Sequence, residues 1–400
     1  MVYSGEIFKR GSVILTPANL RSVLSRIAKS VPYSLRMSAC ALSILTIFIL
    51  GSCAHIDVPD QIIGRSPTYM DWGKTPPSAA DRAKHTIAGK HPFEWWYFDG
   101  HLDDGRTFVG SFLDPSFTTG KPGVTFALYA PDWSKESYLL TLAPEEIRSS
   151  TNDVDVETSA GFIRRLDDET YHVRWEMADI TADFRLTTEA PGWYPRGGDG
   201  VNESHLDFFW AVHQGRNRIE GTITRDGVTT QVTGTGYADH NWGRKRLNEI
   251  TRRWVWGRII ADDYTIIYAD VDYYNPTIAS RPLYIAQGNR IITGTGSPII
   301  RQWDFAGHPL LKRYYPKRVS IDFEDDDVKA HITITYKHLV EAVDLLRVSG
   351  LNRVTQWITR TFIVRPHYFR VIADYEGTIE TKGIKERIAG ECLYEIMGFL

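Results

Sequence analysis

The chain has 400 residues, a formal net charge of −3 and 12 tryptophans. That length exceeds one comfortable core and points to two domains, the charge gives no basic field for nucleic acid, and so many indoles call for large buried apolar surfaces or pockets. Of the three cysteines, Cys40 and Cys53 fall in the leader and only Cys392 in the body, so no intramolecular disulfide framework is expected.

Residues 1–53 read as an export segment. Arg21, Arg26, Lys29 and Arg36 precede an uncharged apolar run from Met37 to Leu50, which is shorter than the roughly 20 residues a membrane span needs. Leu50-Gly51-Ser52-Cys53 resembles a bacterial lipobox. That resemblance implies lipidation of Cys53, which would hold an exported domain at a membrane surface. The other reading is an uncleaved anchor, and either places the body outside the cytoplasm.

Residues 54–90 are rich in Pro, Ser, Asp and Gly and read as a tether and lead-in, with folded structure expected from His91. Beyond it, short alternating or β-branched and aromatic runs are divided by turn signals at Asp104-Gly105, Gly197-Gly198, Asp226-Gly227 and Lys382-Gly383. The pattern predicts strands at 107–113, 171–175, 180–186, 219–224, 254–260, 265–271, 331–336 and 369–376. Val340–Val348 and Leu351–Phe362 are the better helix candidates, although their apolar positions fit strands nearly as well. The fold class is therefore all-β, as sandwiches or barrels.

An internal echo divides the body. Glu220-Gly221-Thr222-Ile223, then Asp226-Gly227, then Gly234, is repeated by Glu376-Gly377-Thr378-Ile379, Lys382-Gly383 and Gly390. Two related β-barrel domains follow from it, 91–243 and 244–400, with the boundary in the charged stretch after Gly243.

Three constellations carry candidate chemistry. In Glu94-Trp95-Trp96-Tyr97-Phe98-Asp99, strand alternation puts Glu94 and Trp96 on one face; the pair reads either as core or as pocket wall with a raised-pKa acid. In Gly236-Tyr237-Ala238-Asp239-His240-Asn241-Trp242-Gly243, His240 and Trp242 share one side, while Asp239 and Asn241 read as closing a turn at the domain junction, where pockets form. In Tyr268-Ala269-Asp270, the acid is either at a wet outer face or in a pocket beside Tyr268. The 12 histidines show no metal-ligand spacing, and no phosphate loop, dinucleotide fingerprint or nucleophile elbow occurs, so no metal and no cofactor is expected.

Together, Glu94-Trp-Trp-Tyr-Phe-Asp-Gly100 and Gly234-Thr-Gly-Tyr-Ala-Asp-His-Asn-Trp-Gly243 resemble the AttH-like and carotenoid 1,2-hydratase superfamily, with cofactor-free Diels-Alderases as distant relatives. The resemblance runs from His91 to Phe399 and takes in Trp254-Val255-Trp256. It implies two tandem lipocalin-like barrels and an apolar small-molecule ligand. It also implies functional roles for His240, Trp242, Tyr268 and Asp270, with Glu94, Trp96, Tyr237 and Trp256 as expected ligand contacts. On that reading, Asp270 protonates an alkene, Trp242 and Tyr268 face the cation, and His240 holds the acid or deprotonates water. A non-catalytic carrier, or a cyclase or isomerase, would use the same aromatic pocket.

Overall fold

In the computed structural model the described residues are 58–65, 71–195, 207–274, 279–348, 353, 356 and 365–399. The leader, Cys53 and most of 351–362 lie outside them.

The lead-in contributes β1 (Gln61–Gly64). The first large sheet comprises β2 (Phe93–Leu102), β3 (Thr107–Leu113), β4 (Gly123–Tyr129), β5 (Lys135–Thr141), β6 (Ile147–Ser149), β7 (Asp155–Thr158), β8 (Gly161–Arg165), β9 (Thr170–Met177), β10 (Ile180–Ala190), β11 (Phe208–Arg225) and β12 (Val228–Gly243). It is antiparallel, in the order β5-β4-β3-β2-β12-β11-β10-β9-β8-β7-β6. The second comprises β13 (Thr251–Ile260), β14 (Tyr264–Tyr273), β15 (Ala279–Ser280), β16 (Leu283–Gln287), β17 (Arg290–Thr295), β18 (Ile299–His308), β19 (Arg313–Glu324), β20 (Val328–Asp344), β21 (His367–Thr381) and β22 (Ile384–Gly398). Its order is β1-β18-β19-β20-β21-β22-β13-β14-β16-β17, with β15 on β14. The protein is nearly all β, and each sheet curls around its own apolar core as a lipocalin-like barrel.

Alternation explains both cores. Phe98 of β2, Phe108 and Phe112 of β3 and Phe184 of β10 close around Trp175 of β9, and Trp96 of β2 belongs to the same core. A Cβ on Gly110 would come within 2.4 Å of that indole, so the glycine makes its room. In the second barrel, Tyr268, Phe369, Val371 and Tyr394 occupy the same kind of interior position. The echoing segments are the hairpins β11–β12 and β21–β22. Each turns through two residues in the left-handed region, Asp226-Gly227 and Lys382-Gly383.

Several expectations are corrected. The octapeptide is not a turn: Gly236–Gly243 lies wholly within β12, paired to β2 on one side and largely to β11 on the other. Bonding on both edges of the strand and the sealed aromatic faces outweigh the glycines' turn preference. Val340–Val348 is not one helix; it continues β20 to Asp344 and ends in a short 3-10 turn, Leu345–Val348. The lead-in is not a loose tether before His91. β1 pairs with β18, and α1 (Ala79–Arg82) is capped by Ser78, whose hydroxyl accepts from Asp81 N. Among the described residues no helix is long and apolar enough to cross a membrane.

Candidate functional site

Strand parity sorts the motif residues onto two faces. From β2, Glu94, Trp96 and Phe98 turn into the first barrel, whereas Tyr97 and Asp99 face outward, toward the second sheet. From β12, His240 and Trp242 turn toward the first-barrel side, and Tyr237 and Asp239 turn to the junction. The second sheet answers with Trp254, Trp256 and Arg258 of β13, Tyr368 and Arg370 of β21 and Glu395 of β22.

At this junction three carboxyl groups meet two guanidinium groups. Arg258 Nη2 is 2.7 Å from Asp99 Oδ1, and Arg370 Nη2 is 2.5 Å from Glu395 Oε1. Between these pairs, the Tyr97 hydroxyl lies 3.0 Å from Asp99 Oδ2 and 3.1 Å from Glu395 Oε1, one proton for two carboxylates, and it accepts from Arg370 Nη2 at 3.0 Å. Among the described residues Asp239 receives no guanidinium. Its Oδ2 accepts from the Tyr237 hydroxyl and Trp210 Nε1, both at 2.9 Å, and its Oδ1 accepts from Asn241 Nδ2 at 2.7 Å. Burial pushes the Asp239 carboxyl up to about 7; the Tyr237 and Trp210 hydrogen bonds oppose that, and the charges of Asp99 and Glu395 add to it. Burial likewise raises Glu395, against the pull of Arg370.

The walls are aromatic. Tyr97, Tyr237 and Trp256 stand with ring centres 5.2–6.3 Å apart, and Trp210 meets Trp193 edge-on at 6.1 Å. Tyr97, Trp210, Trp254 and Tyr368 remain half-buried. Arg370 Nη1 and Trp256 Nε1 are buried without a hydrogen-bond partner among the described residues, two donors available to an oxygen atom.

The residues expected to act together are divided. His240 is fully buried: Nε2 lies 2.9 Å from Glu94 Oε1, Nδ1 lies 3.1 Å from the Asp81 carbonyl, and the ring stacks on Trp96 at 4.5 Å. Trp242 stacks on His85 at 3.8 Å and on Phe209 at 5.5 Å. Tyr268 and Asp270 instead turn into the second barrel. Tyr268 packs in its core, while Asp270 binds Gln302 Nε2 at 2.6 Å and faces Arg281 Nε at 2.8 Å and Arg253 Nη2 at 3.8 Å. A Cβ on Gly64 of β1 would stand 2.5 Å from Asp270 Oδ1, so the lead-in strand lies directly against this carboxyl. Burial raises Asp270, but two arginines already compensate its charge. The single pocket expected for His240 and Asp270 is thus absent from the described residues, because the two strands present these side chains to different barrels. Of the expected ligand contacts, Tyr237 and Trp256 meet at the junction, and Glu94 and Trp96 do not join them.

Glu94 is not a raised-pKa acid either. Burial pushes it up, but the hydrogen bonds from His240 and His85 prevail, with Lys84 adding its charge, and hold it at about 2. Reading by type overlooked Tyr97, Asp99, Trp210, Arg258, Arg370, Glu395 and His85. A signal for one was present: Asp239 lies five residues beyond Gly234, and Glu395 five beyond Gly390.

No family model and no curated protein matches the chain. Solved structures share the fold, two lipocalin-like barrels in tandem. An AttH candidate from Nitrosomonas europaea is 17% identical over 82% of this chain and 98% of its own, with a TM-score of 0.54. CghA, crystallised with Sch210972, is 11% identical over 85% and 99% (TM-score 0.56), and kievitone hydratase from Nectria haematococca is 12% identical over 84% and 98% (TM-score 0.51). At these identities the likeness is one of fold.

Proposed function

We propose that the chain is an enzyme that needs no cofactor for its chemistry and hydrates a carbon–carbon double bond of an apolar, isoprenoid or polyene-type substrate at the junction of the two sheets. The observation that carries this reading is Asp239, a carboxyl group without a cationic partner among the described residues, buried among aromatic rings and held near neutrality. Alkene hydration needs a proton donor first. Asp239 gives its proton to the less substituted carbon, and the π-faces of Tyr97, Tyr237 and Trp256 stabilise the tertiary cation that forms. Water adds to the cation and returns a proton to the Asp239 carboxylate, so the net change is addition of H and OH. Asn241 suits both states, since its amide can offer nitrogen to the carboxylate or oxygen to the acid. A fold shared with a hydratase supports the reading, and the acid role passes from Asp270 to Asp239 because Asp270 is closed in by two arginines and Gly64.

The proposal extends to location: an exported protein, lipidated at Cys53 and held at a membrane surface. The test is mass spectrometry of apolar ligands extracted with the detergent-solubilised protein, then incubation of the protein with the compound found and with an acyclic polyene such as squalene. Gain of one water supports the hydratase. An isobaric product would make it a cyclase or isomerase, and bound but unchanged ligand a carrier.

A further inference from the structure

His85, Glu94 and His240 are far apart in sequence, yet His85 Nδ1, a Glu94 oxygen and His240 Nε2 all lie within 4.8 Å of one another. They come from the lead-in after α1, from β2 and from β12, at the end of the first barrel and on the face turned away from the junction.

The hydrogen bonding there does not balance with a neutral imidazole. His240 Nδ1 faces the Asp81 carbonyl at 3.1 Å, and Nε2 faces Glu94 Oε1 at 2.9 Å. Both partners are acceptors, whereas a neutral ring carries one N–H. His85 Nδ1 points at the same Glu94 oxygen from 2.8 Å. A cation is wanted among these three atoms. Since His85 can donate its Nδ1–H to Glu94, as its backbone N–H does at 3.0 Å, one further proton on His240 would complete the hydrogen bonding, and a metal ion placed between the three donors is the other way to supply the charge. The supporting contacts also suit a metal: Nδ1–H donated to a carbonyl is the usual outer bond of a ligating histidine. Lys84 Nζ, 3.0 Å from Glu94 Oε2, keeps that carboxylate to one-oxygen coordination. Donors in a tetrahedral zinc site, with bonds of about 2.0 Å, stand about 3.3 Å apart, so an ion is admitted when the 2.8 and 2.9 Å contacts open by a few tenths of an ångström and the two histidine nitrogens, now within 4.8 Å of each other, draw together around it, a movement that falls to His85 on its lead-in segment.

We propose that His85, Glu94 and His240 bind one divalent transition-metal ion, Zn²⁺ by the character of the donor set, with a water in the fourth position. The ion fastens the lead-in to β2 and β12. Partly exposed His85 and Lys84 lie on its route of entry. The site is separate from the acid at the junction and stands whether or not the hydratase reading does.

The experiment uses the full chain. Elemental analysis of protein purified without chelator is expected to find one transition-metal ion per chain. After stripping with EDTA, a Co²⁺ titration is expected to saturate at one equivalent, with the intense visible absorption of tetrahedral cobalt, and Zn²⁺ to displace it. His85→Ala and Glu94→Gln should each weaken Co²⁺ binding by more than the roughly 10–100-fold that losing an outer-shell partner costs. His240→Ala removes a core ring, so His85→Ala, from the surface segment, guards against loss of the fold, and circular dichroism checks it. Stripping should also speed amide exchange at residues 79–90. A wild-type chain that retains no ion and shows no cobalt band overturns the proposal, as does Co²⁺ binding unchanged in both variants.

Discussion

Asp239 and Glu395 hold equivalent places in two echoing hairpins and face one junction, yet they meet opposite company. Glu395 lies against Arg370 and the Tyr97 hydroxyl, while Asp239 has a phenol, an indole and an amide. Position in the strand is therefore not what sets protonation. Burial raises both carboxyls, but at Glu395 a buried guanidinium pulls against it, whereas at Asp239 only neutral donors among the described residues do, which leaves a proton reservoir near neutral pH.

The sharpest way to break this contrast is to neutralise each acid without changing its shape. Asp239→Asn is expected to lower turnover by about 10²–10⁴-fold, the usual worth of a positioned general acid, with ligand binding retained in a dialysis assay. Glu395→Gln should be felt first in stability. It leaves Arg370, only 3% exposed, without its carboxylate, and chemical denaturation should show a loss of about 3–5 kcal/mol. Full turnover in Asp239→Asn, or matching stability losses in the two variants, would remove the distinction.

The next effect follows from pH. Asp239 rises from 3.8 to about 7 on folding, so between those values the folded state binds more protons than the unfolded. Its contribution is full below about pH 4, is lost as pH rises toward 7 and is absent above, a span of roughly 4 kcal/mol. Wild-type stability measured at pH 5 and pH 8 should therefore fall relative to Asp239→Asn, which lacks the proton. Parallel pH profiles would mean that the acid is already ionised at pH 5.

Much of this architecture was legible in sequence. Alternating runs, the two positive-φ turns at Asp226-Gly227 and Lys382-Gly383, and the repeated Glu-Gly-Thr-Ile gave the strands and their pairing into two related hairpins. Parity also separated His240 and Trp242 from Asp239 and Asn241 correctly. What parity leaves open is which barrel each face enters, so Asp270 and His240 looked like partners although their strands belong to different sheets. The glycines flanking the octapeptide suggested a turn, but they serve close approach within paired strands: a Cβ on Gly236 would lie 2.6 Å from the Asp99 carbonyl. His85 was illegible for a further reason. It sits in a polar segment without periodicity, and only the docking of that segment on β2 and β12 brings it to Glu94.

The smallest expected effect probes how finely Asp239 is tuned. Trp210 Nε1 and the Tyr237 hydroxyl both donate to its Oδ2, and each favours the carboxylate. Trp210→Phe keeps an aromatic wall and deletes one donor. Without that bond the acid form gains, so the alkaline limb of the turnover profile should move to higher pH, by about 0.7 unit if the bond is worth about 1 kcal/mol. KM should change little, because Phe preserves most of the apolar surface. Tyr237→Phe should act in the same direction, since the phenol hydrogen bonds the same oxygen. If instead the alkaline limb stays fixed in both variants, the group that titrates during turnover is not Asp239, and the contrast with Glu395 is one of structure without consequence for the chemistry.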